Sequence, residues 1–515
     1  MEQTPSRRPR GAERRRSARR GGAGAAAGTG ARTPVKARRN RRVWGASAGV
    51  LVLALAAYGT ADALDRVPGV LTLAPEVVAD PLPHPTVSGL AAGSSWDAEA
   101  LAAAPADAPV PQGLAGILDP MLDDDRLTGP VGAEIRDAAT GEVLYARNPD
   151  AGHTPASTTK IVTAAAALGT LGSQTTFTTS ARASAVDAEA GTAVVHLVGG
   201  GDVLLGTGAS DATRVNGRAG LGTLAADAAE ALGEAGVTRV ELAVDTSRYT
   251  GPAFNAGWER VDISNGFITR IVPLMVNSGA TPAEGDHARS QTPEKDALGA
   301  FATALTVAGI TVTGQRDEPV PAPADAVDLA AVESAPVSAV TEYFLQHSDN
   351  VVAEVVGREV ALALGHEGSG AAAPGAVLEA LGTQGLDAGS IHLADVSGLD
   401  YANRISAHDL VSLLGAAAQS DGDLSLLAPA LPVAGLTGTL AERFVDEESR
   451  AGAGVVRAKT GTLSTVTSLG GTILTADDRL LVFAMLSSNL QRGTAGGART
   501  VLDDAVARVA ACGCS

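Results

Sequence analysis

Thr154-Pro155-Ala156-Ser157-Thr158-Thr159-Lys160 runs straight into Ile161-Val162-Thr163-Ala164-Ala165-Ala166-Ala167-Leu168. Proline suits the start of a helix and not its interior, and the Ala-rich run behind it has high helix propensity. Ser157 and Lys160 therefore fall about one turn apart on one face, at the positive end of the helix. A hydroxyl three residues ahead of an amine lets the lysine act as the serine's base. Taken alone, Ser-x-x-Lys is common, and a plain helix start is its ordinary reading. Its partners elsewhere in the chain decide.

Lysine usage narrows the search. The chain has 515 residues and 39 Lys or Arg, yet its only lysines are Lys36, Lys160, Lys295 and Lys459. Arginine stays protonated, whereas burial or a neighbouring cation can make a lysine neutral. Charge is also divided: residues 1–42 carry fourteen basic and two acidic side chains, and the remainder is net −30. An acidic body of this kind excludes nucleic acid as its main partner. The only cysteines, Cys512 and Cys514, are too close for a relaxed disulfide and too few for structural zinc. They read as an exposed tail, residues 512–515, with a strained or intermolecular bridge as the alternative.

Around the opening stretch the chain divides into seven segments. Residues 1–42 are Arg- and Gly-rich without apolar periodicity and read as a disordered cytoplasmic segment. Residues 43–61 (VWGASAGVLVLALAAYGTA) are uncharged for nearly a bilayer span. Basic residues ahead of one apolar helix keep the N-terminus inside and put the body outside, on the outer side of the cytoplasmic membrane. A cleaved signal peptide is the rival, and would leave the body secreted. Residues 62–112 are a Pro-rich linker. Residues 113–171 hold a helix, the hairpin Val131–Asp137 and Glu142–Arg147, and the Ser157 helix. Residues 172–325 mix strands and helices without a nucleophile-and-base motif and read as an insertion. Its Gly199-Gly200-Gly201-Asp202 run lacks the phosphate-loop pattern and reads as a tight turn. Residues 326–511 supply helices over 336–346 and 351–364, a capping box at Ser406–Asp409, and three strands over 455–462, 467–474 and 479–487. Two early and three late strands make one five-stranded antiparallel sheet with helices on its faces.

Ser348-Asp349-Asn350 and Lys459-Thr460-Gly461 now join Ser157-x-x-Lys160, in that order. The set resembles the active site of the penicillin-recognising serine acyl-transferases. Its chemistry needs these residue types. Ser157 is the nucleophile, and Lys160 can be its base if Lys459 disfavours a second positive charge. Ser348 bridges Lys160 to the leaving nitrogen, and Asn350 orients substrate and lysine. Lys459, with the hydroxyls of Thr460 and Thr462, offers a cationic edge for a terminal carboxylate. The N–H groups of Ser157 and Thr462 hold the oxyanion, and Gly461 leaves room for substrate along the strand.

The 191 residues between Ser157 and Ser348 exceed the class A β-lactamase spacing several-fold. With Val198–Asp202, Asp395–Asp400, Asn403-Arg404, Leu431–Gly435 and Gly438–Leu440, they make the chain resemble class C penicillin-binding proteins, the D-alanyl-D-alanine carboxypeptidase/endopeptidase family. The resemblance covers about 113–511 and implies an α+β penicillin-recognising serine transferase fold with a mixed α/β insertion. It also implies cleavage of terminal D-Ala from peptidoglycan stem peptides, with D-alanyl cross-links as a second candidate substrate, and inhibition by β-lactams. No metal or cofactor is implied. The eight histidines show no ligand spacing, so His153 and His347 read as structural or solvent-facing. A serine β-lactamase and a catalytically idle cell-wall-binding protein are the alternatives.

Overall fold

The computed structural model describes residues 111–281 and 288–512. The expected cytoplasmic segment and apolar span lie outside them, as does Cys514; among the described residues no helix is long and apolar enough to cross a membrane. Cys512 is disulfide-bonded, the bridged alternative to a free tail.

Helix α1 (Pro111–Leu122) leads into strands β1 (Val131–Asp137) and β2 (Val143–Arg147), then α2 (Thr159–Leu171). The insertion follows with β3 (Thr178–Asp187), β4 (Thr192–Val198), β5 (Asp202–Leu205), α3 (Leu221–Glu234), β6 (Arg239–Asp245) and β7 (Leu274–Val276). It continues through α4 (Pro293–Val307), β8 (Thr311–Gln315) and β9 (Val327–Glu333). Next come the helices α5 (Val337–His347), α6 (Asn350–Ala363), α7 (Ala373–Thr383) and α8 (Ala407–Ala418). Strands β10 (Val456–Leu463), β11 (Val466–Leu474) and β12 (Leu480–Ser487) and helix α9 (Ala495–Ala510) complete the described chain.

The first sheet has the order β10-β11-β12-β1-β2, antiparallel throughout, as the sequence predicts. Its middle strand shows why the layers form. Successive side chains of β12 point to opposite faces. Leu481, Phe483 and Met485 pack with α1 and α9, whereas Val482, Ala484 and Leu486 pack with α2 and α8. A nearly unbroken apolar run therefore fits a strand covered on both sides. Helix α2 is likewise covered all round: Thr159 to Leu168 are all buried, which marks a core helix and not a surface one. The Ser406 and Asp409 capping box closes the start of α8 as expected.

A second sheet, β8-β6-β4-β3-β9, has its own core with α3 and α4. Pairs β4–β6 and β6–β8 are parallel, and β3 runs antiparallel to both neighbours. Strand β9 takes this sheet past the boundary expected at 325. Its exposed acidic alternation, Val327-Asp-Leu-Ala-Ala-Val-Glu, is a weak strand signal on sequence alone. The Gly199–Gly201 run links β4 to β5 without the expected tight turn, because Gly199 N–H donates to the Asp245 carbonyl and Gly201 N–H to that of Pro273.

Candidate active site

The helix start differs from its expected form. Ala156–Thr158 form one 3-10 turn, α2 begins only at Thr159, and Ala156 is left-handed at φ +50°. Three hydroxyls hold this turn. Thr158 and Thr159 donate to the carbonyls of Pro155 and Ala156, at 2.7 and 2.9 Å. Ser468 of β11 donates to the same Pro155 carbonyl at 2.6 Å. Ser157 itself is half-buried at the turn's tip, with Lys160 fully buried behind it.

Nζ of Lys160 lies 3.1 Å from Oγ of Ser157 and also donates to Oδ1 of Asn350 and, at 2.7 Å, to the carbonyl of Ser397. Burial pushes Lys160 down to about 8, against the upward pull of Asp395, Asp349 and Glu354, while Arg289 adds to the lowering. Burial comes ahead of the expected cause, Lys459, in lowering Lys160. The influence shows on the other partner: burial, then the charges of Lys160 and Arg443, push Lys459 well below the usual lysine value. Two ammonium groups in one dry site hold one proton more readily than two, so the pair titrates as a unit.

The second motif straddles two helices. Ser348 is the left-handed residue ending α5 at φ +54°, Asp349 caps α6, and Asn350 opens α6. Burial raises the Asp349 carboxyl, but Arg289, the Ser278 hydroxyl and the Val352 N–H outweigh it and hold it below the ordinary range. Oγ of Ser348 accepts from Lys459 at 3.0 Å. It makes no hydrogen bond to Lys160, the partner expected for it. A charged Lys160 already gives its three N–H donors to Ser157, Asn350 and Ser397.

Strand β10 is an edge of its sheet. Its first half is covered, since Ala458 N donates to the carbonyl of Pro432 at 2.9 Å. Strand alternation turns the N–H groups of Thr460 and Thr462 the same way, toward the uncovered part of that edge. Thr462 is exposed, and Oγ1 of Thr460 meets Oγ1 of Thr439 at 2.9 Å. Gly461 serves a purpose other than the expected one. A Cβ there would lie 2.1 Å from Oγ of Ser468 and 2.5 Å from the Pro155 carbonyl, so glycine admits the Ser157 turn against the strand.

Helping residues went unassigned on sequence. Glu354 of α6 accepts from the N–H groups of Val396 and Ser397, at 3.0 and 2.9 Å, and so fixes the Ser397 carbonyl on Lys160. Asp395 gathers the same loop by accepting from Trp258, Gly398, Asp400 and Asn403. Ser397 and Thr439 sat in segments already singled out, but no spacing rule gave them roles. His153 is buried against Ser488, and His347 is exposed beside Tyr343. Among the described residues no cluster of His, Cys, Asp or Glu could hold a metal ion.

Three comparisons bear on this arrangement. The chain matches the D-Ala-D-Ala carboxypeptidase 3 (S13) family over residues 114–288 and 283–509. A carboxypeptidase of Mycobacterium tuberculosis is 37% identical over 421 residues, which cover 80% of this chain and 86% of the relative. The D-alanyl-D-alanine carboxypeptidase of Actinomadura sp. (strain R39) is 30% identical over 457 residues, covering 76% and 83% of the two chains. In fold, the chain is similar to penicillin binding protein 4 of Haemophilus influenzae, with a TM-score of 0.60 over 77% of this chain and 98% of that one, at 20% identity.

Proposed function

The chain belongs to the D-Ala-D-Ala carboxypeptidase 3 (S13) family, and on that premise we propose that it acts through an acyl-enzyme on Ser157. It is a serine D-Ala-D-Ala carboxypeptidase, with peptidoglycan stem peptides as substrates. The observation that carries the Ser157 assignment is the 3.1 Å contact from Lys160, a lysine that burial brings down to about 8 and so closer to giving up its proton.

In the reaction Oγ of Ser157 attacks the carbonyl carbon of the penultimate D-Ala as its proton passes to Lys160. The N–H groups of Ser157 and Thr462 receive the oxyanion. Ser348 protonates the departing amine and regains its proton from the lysine pair, which gained one from Ser157. The C–N bond breaks and free D-Ala leaves. Water then attacks the ester, with the same groups working in reverse. Lys459, Thr460 and Thr462 receive the terminal carboxylate at the open edge of β10. That carboxylate favours a charged Lys459 and so a neutral Lys160, which makes substrate binding itself an aid to base formation.

D-Alanyl cross-links present the same D-Ala acyl group with a different leaving amine and are the second substrate proposed for this site. β-Lactams acylate Ser157 as mimics of the D-Ala-D-Ala terminus. The family premise favours this reading over the β-lactamase and idle-binder alternatives, which it does not need. The basic head and the uncharged stretch 43–61 support an anchor in the cytoplasmic membrane with the enzyme outside. The functional test is mass analysis of products from monomeric and cross-linked stem peptides: loss of one D-Ala supports the reading, and unchanged substrate overturns it.

A further inference from the structure

We propose that the insertion is part of the catalytic machinery, with Arg289 a positioning residue that holds the Ser348-Asp349-Asn350 turn in its working shape. The inference rests on the reading of Ser157 as the acylated residue.

One guanidinium spans three places. Nε of Arg289 donates to the Gly266 carbonyl at 2.8 Å. One terminal nitrogen donates to the carbonyl of Ser278 and, at 2.7 Å, to its hydroxyl. The other donates to the Asp349 carboxylate at 3.1 Å, and both side chains are nearly buried, 12% and 7% exposed. The Ser278 hydroxyl donates to that same carboxylate oxygen at 2.8 Å. Oδ1 of Asp349 accepts from the N–H groups of Val351 and Val352 at the start of α6. The carboxylate is thus pinned between the insertion and the catalytic helix.

The residue beside Gly266 completes the link. The carbonyl of Phe267 accepts from Nδ2 of Asn350 at 2.8 Å. An amide whose NH₂ is claimed there must turn its oxygen the other way, and Oδ1 of Asn350 accepts from Lys160. Arg289 therefore ties together the strand of backbone that sets the Asn350 amide and the carboxylate next to it. It also faces strain. Ser348, Asn277 and Ser278 are all left-handed non-glycine residues, at φ +54°, +48° and +47°. Such conformations persist only where surrounding contacts over-determine them. Without Arg289 the turn relaxes, Ser348 drifts from Lys459, and the Asn350 amide is free to rotate off Lys160. Among the described residues nothing outside the insertion replaces these bonds: Arg289, Ser278 and Phe267 all belong to it.

The test uses the full chain, a labelled penicillin, and the variants Arg289→Lys, Arg289→Ala and Ser278→Ala. The fraction of molecules that acylate, the acylation rate constant of that fraction, the affinity before acylation and Tm are each measured. The rate constant per acylating molecule falls about 100-fold in the Arg289 variants and about tenfold in Ser278→Ala, with affinity within about threefold. Added guanidinium ion restores part of the Arg289→Ala rate. Arg316→Ala, which removes a half-exposed pair with Glu241 in the same insertion, leaves the rate unchanged. A purely structural Arg289 would lower Tm and the acylating fraction while leaving the rate constant of that fraction as in the wild type, and that result overturns the inference. Wild-type protein that never acylates overturns the functional reading instead, before any variant is compared.

Discussion

Nζ of Lys459 donates to the hydroxyl of Ser348 across 3.0 Å, joining the edge of a sheet to the end of a helix 111 residues earlier. With Lys160 on Ser157, the site holds two lysine–serine pairs. Each lysine is fully buried and each serine only half so. In the proposed mechanism protons enter and leave through the serines, and the lysines store them. Activity follows the charge of the pair.

Acylation should rise with pH. Lys160 sits at about 8, and only its neutral form accepts the Ser157 proton. The second-order acylation constant climbs nearly tenfold per pH unit below that value and levels off above it. Asp395, Asp349, Glu354, Arg289 and Lys459 are the charges that face Lys160 and set where the climb ends. Lys160→Arg, which cannot lose its proton, lowers the plateau by about 10²–10⁴-fold. Stopped-flow acylation between pH 6 and 9 reads both effects; a flat profile contradicts the base assignment.

Gly461→Ala drives a methyl group into Oγ of Ser468 and the Pro155 carbonyl. The turn bearing Ser157 must retreat from β10, and a shift of about 1 Å costs about 100-fold in acylation. Gly299, in α4, has open space where its Cβ would go, so Gly299→Ala leaves acylation alone and adds about 0.5–1 kcal/mol of stability. Equal acylation by the two variants would remove the close-approach explanation.

Ser468→Ala deletes the hydroxyl that β11 donates to the Pro155 carbonyl. The Thr158 hydroxyl still serves that carbonyl, so losing the second bond costs about 0.5–1.5 kcal/mol. Because the bond steadies the nucleophile's turn, acylation slows along with the loss in Tm. A drop in Tm with an unchanged acylation constant would make Ser468 a packing residue only.

Glu354 gives a stability signature. Burial, then Asp395, raise its carboxyl to about 8, against the Ser397 and Val396 bonds and Arg358. A raised folded value means that its contribution is complete below the unfolded pKa of about 4.3 and is lost as pH rises through about 8. Wild-type Tm therefore falls between pH 5 and 8, and Glu354→Gln falls less over the same range. Asp202, raised by burial to about 7, keeps part of the slope in the variant. Identical slopes would show that Glu354 ionises normally in the folded protein.

Much of this was legible in the chain because the signals were local or periodic. The Ala-rich run after Pro155 marks α2, the apolar strands mark β11 and β12, and three short motifs in order point to the residues proposed to act in catalysis. What could not be read depends on backbone atoms brought together from far apart. The carbonyls of Ser397 and Phe267 have no side-chain signature, yet one holds Lys160 and the other sets the Asn350 amide. Arg289 looks like any of the chain's 35 arginines until the fold sets it beside Asp349. Periodicity likewise passed over β9, whose side chains are mostly exposed or half-exposed. The left-handed turn at Ala156 escaped for another reason: nothing in Pro-Ala-Ser distinguishes it from a regular helix start.

The most direct measurement is peptide mapping of the intact protein after reaction with labelled penicillin, in the wild type and in Ser157→Ala. The account predicts one covalent adduct per chain, on the peptide carrying Ser157, and none in the variant. No adduct on the wild type, or an adduct that persists in Ser157→Ala, would contradict it.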